Sequence, residues 1–254
     1  MTILDLRAEA QAHKPRLPYL PELQEMAIGT WRGRMINEHG SARVFEGLAK
    51  QLERLGLDEA DLDRVRSFAA EERKHGVLCG AVVEALGGQA LAPALEVVPF
   101  PKHDEVSLLE GALRNLISIS CLSETVAVAL IGAEREEMPD GELKELLTTI
   151  YAEECGHANY GWRLLPKLLA MGDDTLVDRL SEYLLVAFEH LERHELAHLP
   201  ADVVPPAEGK VLGLCNGLDA RKLFYAAIEQ IIVPGLCQHG LKAQWAWDNR
   251  TQLR

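Results

Sequence analysis

From Asn115 to Ala133 the chain reads NLISISCLSETVAVALIGA, and Glu124 is the only formally charged side chain in that stretch. A helix so apolar on every side is expected to be buried all round, so the fold must supply neighbours to cover it. The lone carboxylate adds a second demand. In low dielectric it is costly unless protonated, paired or bound to a metal ion. Elsewhere apolar residues recur at i, i+3, i+4 and i+7 over long windows, while alternating β-branched runs are nearly absent. The neighbours are therefore helices, and the chain reads as all-α.

Punctuation divides the pattern into six helices. The first spans Trp31 to Leu55 and stops at Gly56; Asp58 or Asp61 can cap the second, which continues to Gly87-Gly88. Residues 89–104 hold three prolines and no helical period, so a long connection leads to a third helix over 105–136. A tight turn at Met138-Pro139-Asp140-Gly141 precedes a fourth helix to Ala170, which Pro166 should kink or shorten. A fifth is expected over 173–199, and a sixth over 219–247 with a kink at Pro234. Among the first four helices the connections run short, long, short, the order of a four-helix bundle with one crossover. The organisation is thus an N-terminal extension (1–30), a bundle (31–170) and two additional helices packed on it (171–254), forming a single domain.

Composition excludes several function classes. Thirty-nine acidic against 26 basic residues leave a net charge of −13, which opposes binding to a phosphate backbone. The N-terminus lacks a basic start followed by an apolar core, and no run approaches 18 uninterrupted apolar residues, so a cytoplasmic protein without a membrane span is expected. Cys79, Cys121, Cys155, Cys215 and Cys237 are odd in number and form no CxxC pair. They read as free thiols, largely buried, and not as disulfides, a zinc ribbon or a rubredoxin-type centre.

The chemistry lies in a repeat. Ala-Glu-Glu-x-x-His occurs at Ala70 to His75 and again at Ala152 to His157. On a helix, i and i+3 share a face, so Glu72 with His75, and Glu154 with His157, can reach one cation together. Each copy closes a helical hairpin carrying an earlier glutamate: Glu38 lies 34 residues before Glu72, and Glu124 lies 30 before Glu154. Each pair is nearly equidistant from its own turn, so folding the hairpin brings its members level. Glu46 competes with Glu38, but it falls about two helical turns off the level of Glu72.

A glutamate from each of two helices and Glu-x-x-His from each of two others is the ligand set of ferritin-like di-iron and di-manganese carboxylate proteins. Over about residues 31–170 the chain resembles that superfamily. The resemblance implies that Glu38, Glu72 and His75, with Glu124, Glu154 and His157, bind two iron ions, manganese being the other option, and that Glu72 and Glu154 bridge them. Tyr151, one turn before Glu154, is a candidate hydrogen-bond donor behind the ligands, and core packing is the competing role. The small residues Ala42, Ala127, Ala158 and Gly161 adjoin the ligands, where they leave room for oxygen and a substrate or serve close helix packing.

His194-Glu195-Leu196-Ala197-His198 matches the HExxH of zinc peptidases. It stands in a stretch dense in Glu and His, lacks the metzincin continuation and is cut off by Pro200. His190, His194 and His198 read instead as an i, i+4, i+8 stripe for surface zinc or nickel. Three function classes follow: an oxidase or oxygenase using dioxygen on a small molecule, with a homodimer as one assembly open to it; an iron-handling or peroxide-scavenging protein; and a helical interaction module without catalysis. The two extra helices and the missing CxxC favour the first.

Overall fold

The computed structural model describes residues 3–94 and 99–253. It is all-α apart from a two-stranded antiparallel ribbon, β1 (Ile3–Asp5) with β2 (Leu91–Pro93), in which Leu4 faces Ala92. The long 89–104 connection therefore carries a strand; its residues 95–98 lie outside the described residues.

After the short helix α1 (Arg7–Ala10), α2 runs from Pro21 to Leu55 and α3 from Glu59 to Ala85. The start of α2 lies ten residues earlier than the sequence pattern suggests. Pro21 at the first helical position has no N–H to leave unpaired, and buried Ala27 continues the Trp31 face one turn back. Gly56, at φ 84°, ends α2 in the left-handed region. Asp58 then caps α3 by accepting from the Asp61 amide at 2.9 Å. Further on come α4 (Leu108–Leu116), a π-helical stretch (Ile117–Ser123), α5 (Glu124–Glu137) and α6 (Glu142–Leu169). Pro166 is accommodated within the last turn of α6.

Helix α7 covers Leu176–His198. The expected sixth helix is broken: α8 (Gly217–Ala227) passes through a second π-helical stretch (Ile228–Ile232) into α9 (Val233–Gln238), and α10 (Ala243–Asn249) follows. The π stretch ends two residues before Pro234. The break itself falls at Gly240, whose φ is 84°.

The chain forms two compact units. The first comprises residues 1–100, 133–153 and 205–215, and the second 101–132, 154–204 and 216–254. In the first, α2 and α3 pack through Trp31, Phe45 and Leu52 on one side and Val65 and Phe68 on the other, all fully buried. Phe45 and Phe68 meet edge-on at 5.3 Å. Trp31 donates its indole N–H to the Leu212 carbonyl at 2.8 Å, and Arg34 grips Glu134 with both guanidinium nitrogens at 3.1 and 2.8 Å. In the second unit, α7 and α10 meet through Phe188 and Trp247, rings 5.4 Å apart. Each such side chain, taken from water, contributes roughly 1.5–3 kcal/mol.

The helix around Glu124 is not covered on every side. Leu113, Leu116, Ile117 and Val126 are buried, but Ala127 to Ala133 are only half-buried. Among the described residues, the run Leu108–Glu137 is long and apolar enough to cross a membrane by length and composition, a test that core helices also pass. Of the thiols, Cys79 and Cys121 are buried, Cys155 is half-buried, and Cys215 and Cys237 are exposed, contrary to the expected general burial.

Candidate metal centre

The first unit holds Glu38 on α2 with Glu72 and His75 on α3. Antiparallel pairing across Gly56 brings Glu38 level with Glu72, and helical periodicity places His75 one turn along on the same face. The three side chains can each offer one ligand atom, all within 4.8 Å of one another. Glu72 and His75 are buried, whereas the Glu38 side chain keeps 15 % exposure. His75 faces carboxylates on both ring nitrogens. Its Nδ1 lies 3.6 Å from Glu38 Oε2, and its Nε2 lies 2.8 Å from Glu153 Oε2. Lys74 Nζ, 2.6 Å from the other Glu153 oxygen, holds that carboxylate in place. Glu46, the rival for the α2 role, pairs with Arg73 instead.

Glu153 is a functional position that the sequence reading passed over. Histidines that bind metals commonly donate their second ring N–H to a carboxylate, which fixes the tautomer and orients the ring. Glu153 is placed to do this for His75. Its signal was present, since both repeats carry a doubled glutamate. The counterpart in the first repeat, Glu71, accepts from Arg64 at 3.2 Å and from Ser67 at 3.4 Å.

The second unit holds Glu124, Glu154 and His157, again with ligand atoms within 4.8 Å of one another. All three are buried. His157 Nδ1 lies 3.1 Å from Glu154 Oε2 and 3.6 Å from Glu124 Oε2. Glu124 stands directly after the π-helical stretch, where the wider turn rotates the following residues relative to α4. Ser123 Oγ reaches back to the Ser118 carbonyl at 3.2 Å, and the Ser118 hydroxyl meets Tyr183 Oη at 2.8 Å, tying the stretch to α7. Burial pushes the Glu124 carboxyl well above its ordinary range. The neighbouring Glu154 charge pushes the same way, and His157 pulls back.

The donors fit a divalent cation. Carboxylate oxygens with imidazole nitrogen suit iron, manganese or zinc, and like-charged buried carboxylates are costly without positive charge between them. The elevated Glu124 carboxyl displays that cost. The protein therefore contains a buried Glu/His cluster able to hold a metal ion.

The remaining sequence candidates sort differently. Tyr151 is half-buried under the Arg135 guanidinium, 5.0 Å from its ring centre. Gly161 leaves no room for a substrate: a Cβ there would stand 2.4 Å from Ser120 Cβ, so the glycine permits close helix packing. Ala42 and Ala158 are likewise buried in packing. Among the described residues, neither group of three or more donors able to hold an ion includes His194 or His198. Comparison with protein-family models found no matching family, and comparisons with curated proteins and with solved structures found no match.

Proposed function

We propose that the two triads together form one dinuclear centre of the ferritin-like kind, in a bundle built from the two repeated hairpins. In this reading Glu38 and His75 would hold one ion, Glu124 and His157 the other, and Glu72 and Glu154 would be shared between them. The observation that carries it is that each repeated hairpin brings its own Glu, Glu and His ligand atoms within 4.8 Å of one another, in the same Glu, Glu-x-x-His order. Four carboxylates balance two divalent cations, which offsets the repulsion that the buried acids otherwise suffer.

The reaction proposed is oxidation of a small organic molecule by dioxygen, with two iron ions, or manganese in their place, supplying the electrons for oxygen activation. The chain's own groups bind and orient the metals. Glu153 holds the His75 ring, and the apolar sides of the π-helical stretch and α5 limit water around Glu124.

The test is to measure metal per chain after loading with ferrous iron without oxygen, then add oxygen with and without excess ferrous iron. Two ions per chain and one oxidation that stalls until reductant is supplied are expected. Repeated oxidation of many ferrous ions per chain would instead mark iron handling, and the absence of bound metal would leave the interaction-module reading.

A further inference from the structure

Helix α7 carries donors that the core site does not use. His190, His194 and His198 are exposed and follow one another at four-residue intervals. Their spacings are unequal. The His194 and His198 ring centres are 4.7 Å apart with planes tilted by 51°, whereas His190 and His194 stand 6.0 Å apart and nearly parallel at 19°.

Coordination geometry separates the two pairs. An ion held at about 2.1 Å by a ring nitrogen sits roughly 3.2 Å from the ring centre, so two imidazoles on one ion at ordinary angles have centres about 4.6–5.2 Å apart. The His194–His198 pair falls in that range. The His190–His194 pair does not, and its parallel rings stack instead of converging.

The tautomer is also set. His198 Nδ1 lies 2.9 Å from the His194 carbonyl oxygen. A carbonyl only accepts, so Nδ1 carries the proton and Nε2 keeps the lone pair, the arrangement that orients histidine ligands in metal sites. Partial burial, followed by the charges of His198 and His190, holds the His194 imidazole below its ordinary range, so protons compete with a cation for it less than they do at a free imidazole. Both residues occupy the last turns of α7, where the partial negative charge of the helix end favours cations. Opposing charge is nearby but engaged: Arg221 donates to the Leu196 and Leu199 carbonyls, and Arg193 stands against His190.

We propose that His194 and His198 form a surface site for one borderline divalent cation, of the zinc, nickel or copper class, with water completing its coordination. The site is separate from the carboxylate-rich core and needs none of its ligands. The HExxH spacing is thus read as two adjacent imidazoles at a separation one ion can span, and not as a peptidase centre.

Copper(II) and nickel(II) are the probes. The full-length protein, its core first saturated with ferrous or manganous ion, is titrated calorimetrically with nickel. The same titration is run on His198→Ala, His194→Ala and His190→Ala, with thermal unfolding as the folding control. Loss of one nickel equivalent, or on the order of tenfold weaker binding, in the first two variants and not in His190→Ala is expected. Copper bound to the parent protein should show spin-resonance coupling to two nitrogens, falling to one in His198→Ala. Equal losses at His190 and His198, unchanged binding in His198→Ala, or coupling to a single nitrogen in the parent would each overturn the proposal. None of these outcomes bears on the core triads.

Discussion

The hairpin bearing Glu38, Glu72 and His75 and the hairpin bearing Glu124, Glu154 and His157 repeat one ligand pattern in different surroundings. In the first, the leading glutamate is partly open to water, and His75 is gripped from behind by Glu153, itself bound to Lys74. In the second, every member is buried, the leading glutamate follows a π-helical stretch, and its carboxyl is pushed well above the ordinary range. The first triad is stabilised by charges already in the chain. The second holds a carboxyl that burial and a neighbouring charge disfavour as an anion, so a bound cation there relieves a penalty.

The comparison is tested most strongly by deleting each leading carboxylate. Glu124→Ala is expected to remove the ion of the second triad, because no other charged side chain lies between Asn115 and Ala133. Glu38→Ala should weaken binding without abolishing it, since water can reach that position. Metal content per chain after dialysis checks both, and equal losses would break the distinction.

Packing distinguishes the hairpins as well. A Cβ on Gly161 would meet Ser120 Cβ at 2.4 Å and the Ser120 backbone carbon at 3.1 Å, atoms that cannot swing aside. Gly161→Ala should therefore destabilise the protein by about 1–3 kcal/mol through overpacking. The glycine beside the other ligand histidine, Gly76, has its nearest neighbours at 3.4 Å, an ordinary contact. Gly76→Ala is expected to be neutral or stabilising by up to about 1 kcal/mol from helix propensity. Denaturant unfolding of the two variants compares them directly.

What was legible in the sequence follows the range of the interactions involved. The all-α class and the Gly56 and Asp58 boundary could be read because caps and helical periodicity act within a few residues. The pairing of Glu38 with Glu72, in preference to Glu46, followed from equal arms about a turn. The early start of α2 was hidden because only Ala27 marks its buried face ahead of Trp31. The π-helical stretches left no local signal, since their wider turns are held by contacts such as Ser118 to Tyr183, 65 residues away. Glu153 was missed for the same reason: its partners Lys74 and His75 are 79 and 78 residues distant. The open outer side of Ala127 to Ala133 shows the limit of composition, which marks a helix as apolar without showing how much of it is covered.

The doubled glutamates allow a smaller and more selective test. Glu153→Gln keeps the shape but removes the charge behind His75, and loss of such a partner typically weakens metal binding about 10- to 100-fold. Glu71→Gln, at the matching position of the first repeat, removes the carboxylate that accepts from Arg64 and Ser67, and its affinity measured beside that of Glu153→Gln compares the two positions. Titration with manganese distinguishes them, and similar losses in both variants would mean that the two glutamates act alike.

The smallest effect expected is a pH slope in the metal-free protein. Glu124 has a folded-state carboxyl raised above its ordinary value of 4.5, mainly by burial and then by Glu154. A group raised on folding binds its proton more tightly in the native state, so its contribution is fully present below the unfolded value and is lost as pH climbs toward the folded one. In chelator, stability should therefore fall from about pH 4.5 upward, by at most about 1.4 kcal/mol per pH unit from this group. Glu124→Gln cannot ionise and should flatten that part of the profile. Saturating metal should flatten it in the parent protein too, because a cation beside the carboxylate replaces the proton. Thermal unfolding between pH 5 and 8, with and without metal, gives both comparisons. A parent profile already flat in chelator would mean that the penalty on the second triad is met by another group, and the contrast between the hairpins would then rest on packing alone.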